Sequence, residues 1–387
     1  MIVTQFCLGL HASSGGASKA ARSFAAALPG PVVSWVDPAA LAREPLIWET
    51  STLVRASRLP VLRQLLVPRR GDLAAAEAVV AGSDLVCCHS LWRWHCLWLR
   101  AAARRHAVPY LFVPHGGLDP WVFERNALVK RLYLRGGGLR FVQESAAVVC
   151  ATRREHEKLA PFLAGTPAAV LPWPLDADDF RTRDEESRGR IRARLGIPDR
   201  AACLLFFGRL DPMKRPLETI DALADSRTDA HLLVVGNEWG VSVADCVRRA
   251  DRRGIAGRVH VVGPAWGRDR DGYLDAADVY VSLSHRENFN FTAAECLASG
   301  LPVILSPGND LAADLAAVNC GWMLAAGDSP ARAIEQAVAA GPAALVSLGQ
   351  SGRGWEEANL RFDVFQDRIR ALAAGLARRP GAGPPGR

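Results

Sequence analysis

The chain predicts an α/β protein built from two doubly wound domains that face one another across a cleft. Three observations carry the prediction. Short apolar runs rich in β-branched residues alternate with alanine-rich, amphipathic stretches along the whole sequence, the pattern of parallel strands joined by helices. The alternation restarts after a charged connector near residues 172–190, and 387 residues suffice for two separate cores. Several apolar runs also end on glycine, histidine or a charged residue, the kinds of side chain expected where strands of a doubly wound sheet meet a ligand.

In chain order, MIVTQFCLGL reads as a first buried strand: Thr4 and Gln5 interrupt the apolar run and no basic segment precedes it, so a signal peptide is the weaker reading. Ser13 to Gly16 make a small-residue turn into a helix from about Ala17 to Leu28, and Gly15 and Gly16 would let a ligand approach the backbone. The glycine spacing is neither a dinucleotide fingerprint nor a phosphate loop, so a plain strand-to-helix turn explains it equally well. Between Glu49 and Asp72 five arginines, Arg55, Arg58, Arg63, Arg69 and Arg70, interleave with apolar residues and no acid intervenes. This segment suits either docking on an anionic membrane surface or a core-facing helix with a solvated arginine face. From Leu91, LWRWHCLWLRAAARRH mixes tryptophans with arginines, which suits a carbohydrate, a membrane interface or a single nucleic-acid strand but also plain helix packing.

Leu85–Cys88 and Tyr110–Val113 are short buried strands followed by His89 and His115, placing both imidazoles where a site belongs. Ala147–Ala151 and Ala169–Leu171 complete the first domain, and the charged run Arg181–Arg194 reads as a solvated helix and linker. A second set of units opens with CLLFFGRLDPMKRPLETIDAL. The strand ends at Phe207, Gly208 makes room, and Pro216 suits the first turn of a helix, so Arg209 and Lys214 sit in a short loop aimed at the crevice. Two cations there would stabilise negative charge on a departing diphosphate; ordinary surface salt bridges are the alternative. Leu232–Val235 and Val259–Val262 repeat the pattern, ending in Gly236 and Gly263.

Asp278–Ser284 is the next strand, and the loop HRENFNF leads into a helix for which Thr292 is the expected cap, with Glu295 at capping-box spacing. Glu287 therefore stands at the end of a strand and Glu295 in the first helical turn. Amide groups near Asn290, Phe291 and Thr292 point outward with the positive end of the helix dipole, which suits a phosphate. Two carboxylates flanking it would accept hydrogen bonds from the two sugars of a nucleotide diphosphate sugar. Helix capping alone accounts for Glu295, and a solvated loop acid for Glu287.

Composition narrows the classes. The net charge of +7 and an isoelectric point near 9.1 favour an acidic partner. Nucleic-acid binding would rest on that charge alone, and no nucleic-acid partner is expected. Nine cysteines, Cys7, Cys87, Cys88, Cys96, Cys150, Cys203, Cys246, Cys296 and Cys320, contain no CxxC pair, so they read as reduced core residues rather than a disulfide frame or zinc site. No apolar stretch is long enough to span a bilayer, which leaves peripheral membrane contact and a cytoplasmic protein as the expectation.

The E-x7-E arrangement of Glu287 and Glu295 within ENFNFTAAECLASGLPVILS resembles the donor-site signature of family 4 retaining glycosyltransferases of the GT-B fold. GRLDPMK, with Arg209 and Lys214, and PHGGLDPW, with His115, are further points of likeness. The resemblance implies a hexosyltransferase that moves a sugar from a nucleotide diphosphate donor to a glycan or lipid-linked acceptor, without metal or cofactor, in cell-surface polysaccharide assembly. It implies a catalytic set of Arg209, Lys214, Glu287 and His115, with the donor held by Gly15, Gly16, Gly208, Asn290, Phe291, Thr292, Glu295 and Gly263. His89, Asp119 and Trp121 would border the acceptor.

The implied domains are an acceptor-side unit over 1–175, a donor-binding unit over 190–357, a helix at about 358–377 returning to the first unit, and a flexible tail over 378–387. The sequence departs from the family at Asn288 and Asn290, where glycines are usual, and at Trp173 and Pro174, which replace an asparagine-glycine pair. A sugar-nucleotide epimerase or hydrolase of similar fold, and a non-catalytic nucleotide-sugar-binding subunit, are the competing readings.

Overall fold

The computed structural model describes residues 1–9, 11, 15–44, 46, 52–57, 67–124 and 126–378. The chain divides into two compact units, residues 1–174 together with the segment from Phe362, and residues 175–361.

The first unit is built on seven strands: β1 (Val3–Leu8), β2 (Val32–Val36), β3 (Thr52–Arg55), β4 (Leu85–His89), β5 (Tyr110–Val113), β6 (Ala147–Cys150) and β7 (Ala168–Val170). They form one sheet in the order β3-β2-β1-β4-β5-β6-β7, with every neighbouring pair parallel. Such a sheet is covered on both faces, which is why β4 reads LVCCH with every residue buried. The C-terminal helix Phe362–Leu376 buries Phe365, Ile369 and Ala373, spaced four apart along one stripe. It lies on the first unit: the Phe365 ring meets Phe24 at 5.2 Å and Arg370 Nε donates to Ala27 O at 2.9 Å.

The second unit carries β8 (Cys203–Phe207), β9 (His231–Val235), β10 (Val259–Val262), β11 (Val279–Ser282), β12 (Val303–Leu305) and β13 (Gly321–Met323). Its order is β10-β9-β8-β11-β12-β13, again parallel throughout.

Three local expectations need correction. The described part of the arginine-rich segment begins as the edge strand β3 rather than a helix, and Arg55 pairs with Asp72 at 3.2 Å. Residues 58–66, which carry Arg58 and Arg63, lie outside the described residues, as do Ser13 and the tail beyond 378.

The charged run is not a solvated linker either. Asp184 caps the helix Glu185–Leu195, and Arg192, only 1% exposed, reaches Asp278 Oδ2 at 2.6 Å and the carbonyls of Asp199, Ala201 and Ala276. Arg188 takes the other Asp278 oxygen at 2.7 Å, and Arg181 takes Asp275 at 2.8 Å. These guanidiniums satisfy carbonyls and carboxylates at the amino-terminal end of β11, a non-local role that charge counting reads as solvation.

The third correction concerns the helix Phe291–Ala298. Its cap is Asn290, whose side-chain oxygen accepts from Ala293 N at 3.1 Å, so Thr292 lies inside the helix.

Candidate active site

In an open parallel sheet the ligand crevice forms where strands on either side of one point run outward in opposite order. In the second sheet that point lies between β8 and β11. The loops leaving their carboxyl ends are Gly208–Arg215 and Leu283–Asn290, so strand order alone brings Arg209 and Lys214 beside Glu287.

The first loop is shaped by Asp211, whose carboxylate caps a 3-10 turn over Pro212–Lys214 by accepting from Met213 N at 2.9 Å. Arg215 then takes a left-handed conformation, φ 57°, and starts the next helix. Met213 O accepts from His285 N at 2.8 Å, tying this loop to the second. Lys214 Nζ pairs directly with Glu287 Oε1, with the two side chains only 22% and 13% exposed. Arg209 is more open, lying over the Trp239 ring at 5.1 Å and 3.9 Å from Asp211.

Glu287 is anchored on both sides of its backbone, its N–H donating to Gly308 O and its carbonyl accepting from Asp310 N, each at 2.8 Å. Gly308 is required there: a Cβ would lie 2.3 Å from the carbonyl oxygens of Ser284 and His285. Ser284 Oγ donates to Glu287 Oε1 at 3.4 Å, and Ser282 and Ser284 hydroxyls meet at 3.1 Å. Asn290 Nδ2 continues the chain to Ser282 Oγ at 3.1 Å and Asn309 Oδ1 at 2.8 Å. Asn290, a departure from the family pattern, thus caps the helix and links that cap to Glu287 through two serines.

At the helix start, Phe291 N–H donates to Phe289 O at 3.0 Å, so one of the three amides expected for a phosphate is already engaged. Glu295 is held by Arg270 at 2.9 Å, and Arg270 also takes Asp179 at 2.9 Å. Capping-box spacing therefore misdescribed Glu295. Gly263 follows β10, two strands from the switch point, a step of about 10 Å; its turn is open, and nearby Trp266 is 74% exposed. A cavity of about 530 Å³ lined by Arg183, Asp278, Pro302 and Leu345 opens at the other, amino-terminal edge of this sheet.

The first sheet has its switch point between β1 and β4. Gly15, at φ 65°, precedes the helix Gly16–Ala27, and both glycines are exposed. His89 ends β4, its Nε2 3.1 Å from Gln5 Oε1 and its Nδ1 3.1 Å from His115 Nε2. Gln5 Nε2 donates to Leu28 O at 3.4 Å, which orients the amide. His89 Nε2 accordingly carries the proton, His115 Nε2 donates to His89, and His115 Nδ1 is left as an acceptor. Burial holds the His89 pKa well below its ordinary value, with the neighbouring His115 adding to the effect. It pushes His115 down to about 4.

His115 adopts φ 49° in a loop fixed by Glu155, which is 1% exposed and accepts from Gly116 N at 2.6 Å and Ala151 N at 2.7 Å. Trp173 stands against His115 at 5.6 Å as a core residue. Asp119 is buried and occupied by Lys158 at 2.6 Å and Trp121 N–H at 2.9 Å, so it shapes the turn that presents half-buried Trp121.

Arg270, Asp211, Glu155, Asn309 and the serine pair were not singled out in the sequence. Only the serines carry a readable signal: Ser282 and Ser284 are two apart at a strand end and so share a face.

Two parallel sheets of this construction define a GT-B fold. The structure of Anabaena HepE in complex with UDP superposes with a TM-score of 0.79 at 18% identity, over 97% of this chain and 100% of that one. Sucrose-phosphate synthase from Thermosynechococcus elongatus gives 0.72 at 20% identity, over 97% and 99%.

Residues 187–353 match the sequence model of glycosyl transferases group 1. Among its relatives, the D-inositol 3-phosphate glycosyltransferase of Xylanimonas cellulosilytica is 33% identical over 43% of this chain and 42% of its own length. That of Stackebrandtia nassauensis is 29% identical over 72% of this chain and 66% of its own length. The chain thus spans about two-fifths of the first of these curated relatives.

Proposed function

We propose that the protein is a retaining hexosyltransferase that takes a sugar from a nucleotide diphosphate donor and passes it to a glycan or lipid-linked acceptor in cell-surface polysaccharide assembly. The observation that carries the reading is the Lys214–Glu287 pair at the β8/β11 switch point, hydrogen-bonded through Ser284 and Ser282 to the cap of the helix Phe291–Ala298. The diphosphate meets that helix start, and Arg209 and Lys214 stabilise the charge that grows on it as the sugar departs. Glu287 holds hydroxyls of the transferred sugar and Glu295 those of the ribose. The base stacks near Gly263 and Trp266.

The acceptor hydroxyl attacks on the face the diphosphate leaves. A leaving phosphate oxygen takes its proton, so no second carboxylate is needed for displacement. His115 Nδ1 accepts from a sugar hydroxyl, and His89 and Asp119 hold His115 and Trp121 in place. The two cations take the part that a metal plays in other diphosphate chemistry, so omission of magnesium and manganese should leave turnover unchanged.

Peripheral contact with an anionic cytoplasmic membrane face belongs to the proposal. Its support is the exposed apolar group Leu128, Val129 and Leu132, which flanks Lys130 and Arg131 in the chain. No helix among the described residues is long and apolar enough to cross a membrane.

Screening nucleotide sugars by thermal shift, then following transfer with a stabilising donor, tests the reading. Glu287→Ala should abolish transfer with the fold intact, and unchanged turnover removes the assignment. Donor turnover without acceptor would instead mark an epimerase or hydrolase. Binding without turnover would mark a non-catalytic subunit.

A further inference from the structure

The first unit gathers another set of reactive side chains, which sugar transfer does not use. Cys88 lies in β4, and His95 and Cys96 lie in the first turn of the helix Trp94–His106. Their donor atoms are within 4.8 Å of one another and all three residues are fully buried. Cys96 Sγ stands 3.3 Å from His95 Nε2. In a tetrahedral zinc site, with bonds of about 2.3 Å to sulfur and 2.0 Å to nitrogen, neighbouring sulfur and nitrogen ligands lie about 3.5 Å apart. Sub-ångström adjustment of this pair would meet that spacing.

The surroundings are aromatic. The Phe6 ring stacks on His95 at 6.1 Å and on Trp98 at 5.8 Å, and Trp35 approaches His95 at 6.4 Å. Such a box disfavours water and penalises any net charge, and the neutral Ser90 carbonyl oxygen, 3.4 Å from Cys96 Sγ, is the donor at hand for the fourth position. The connecting loop is fixed as well: Ser90 and Trp92 hold φ 74° and 71°, and Trp92 Nε1 donates to Gly117 O. Non-glycine residues keep such angles only when their surroundings determine them.

We propose that Cys88, His95 and Cys96 bind one thiophilic divalent cation, zinc, which clamps β4 to the helix Trp94–His106. Binding releases one proton from each thiol to solvent and leaves the imidazole neutral. Two thiolates, a neutral imidazole and a divalent ion sum to zero charge, as the box requires; copper(I) would leave a buried negative charge.

The test uses the full chain purified under reducing conditions without chelator. Elemental analysis should find stoichiometric zinc in the wild type and background levels in Cys88→Ser and Cys96→Ser. Cobalt(II) added to stripped wild type should give a thiolate-to-cobalt charge-transfer band, absent in both variants. Chelation should lower the wild-type Tm and leave that of the variants unmoved. If the variants fail to fold, the wild-type cobalt and chelator arms decide alone. A metal-free wild type whose Tm ignores zinc and which gives no cobalt band overturns the proposal, as does a Cys88–Cys96 disulfide in the protein as isolated. Copper in place of zinc overturns the choice of ion.

Discussion

Replacing Glu287 with glutamine should stop sugar transfer yet tighten the binding of free nucleoside diphosphate. Lys214 is committed to Glu287 in a pair where both side chains are largely buried. At a separation of about 4 Å and an effective dielectric constant of about 20, opposite unit charges attract by about 4 kcal/mol. Desolvation of both groups offsets much of that and leaves about 1–2 kcal/mol. A diphosphate that recruits Lys214 forfeits this remainder in the wild type. Glutamine keeps the size of the side chain and its contact with Ser284 but removes the competing charge. Affinity should therefore rise by about 1–2 kcal/mol, about 5- to 30-fold in Kd. Isothermal titration of each protein with the nucleoside diphosphate that stabilises it most measures this directly. Unchanged or weaker binding by the variant would show that Lys214 does not exchange Glu287 for phosphate.

Lys214→Ala should weaken nucleoside diphosphate binding by about 10- to 100-fold, the value of one charge-assisted contact, read by the same titration. Asp278→Ala should cost about 3–5 kcal/mol in urea unfolding, because Arg188 and Arg192 lose their shared carboxylate where Arg192 cannot reach water. Stability should also fall as pH drops from about 6.5 towards about 4, the depressed value of His115. In that window the unfolded chain takes up protons that the native imidazoles refuse, so the contribution is complete above the window. Its size is about 1–3 kcal/mol, discounted for the partial exposure of His115. His115→Asn, which tolerates the left-handed backbone, should flatten the Tm–pH curve; parallel curves would refute the argument.

The strands at the two switch points were legible because each is a short apolar run closed by a residue that ends it. The placement of GRLDPMK and Glu287 in loops at strand ends was legible because a loop bounded by such a strand and a helix start has few places to go. The edge strand β3 was not, since a four-residue strand bearing arginine, Thr52–Arg55, carries too few apolar positions to reveal its period. Arg192 defeated the reading for the opposite reason. It is buried by contacts some eighty residues away, and no local pattern distinguishes that from solvation.

The amino-acid order by itself determined that parallel α/β units would form and which loops would carry cations, carboxylates and histidines, because strand and helix periods and chain breaks are local properties. Only the tertiary structure decided that β8 and β11 are neighbours, that Lys214 is held by Glu287, that Asn290 rather than Thr292 caps the helix, and that Cys88 meets Cys96. Those outcomes rest on strand order and on pairings between distant segments, whose free energy exists only once the sheets have assembled.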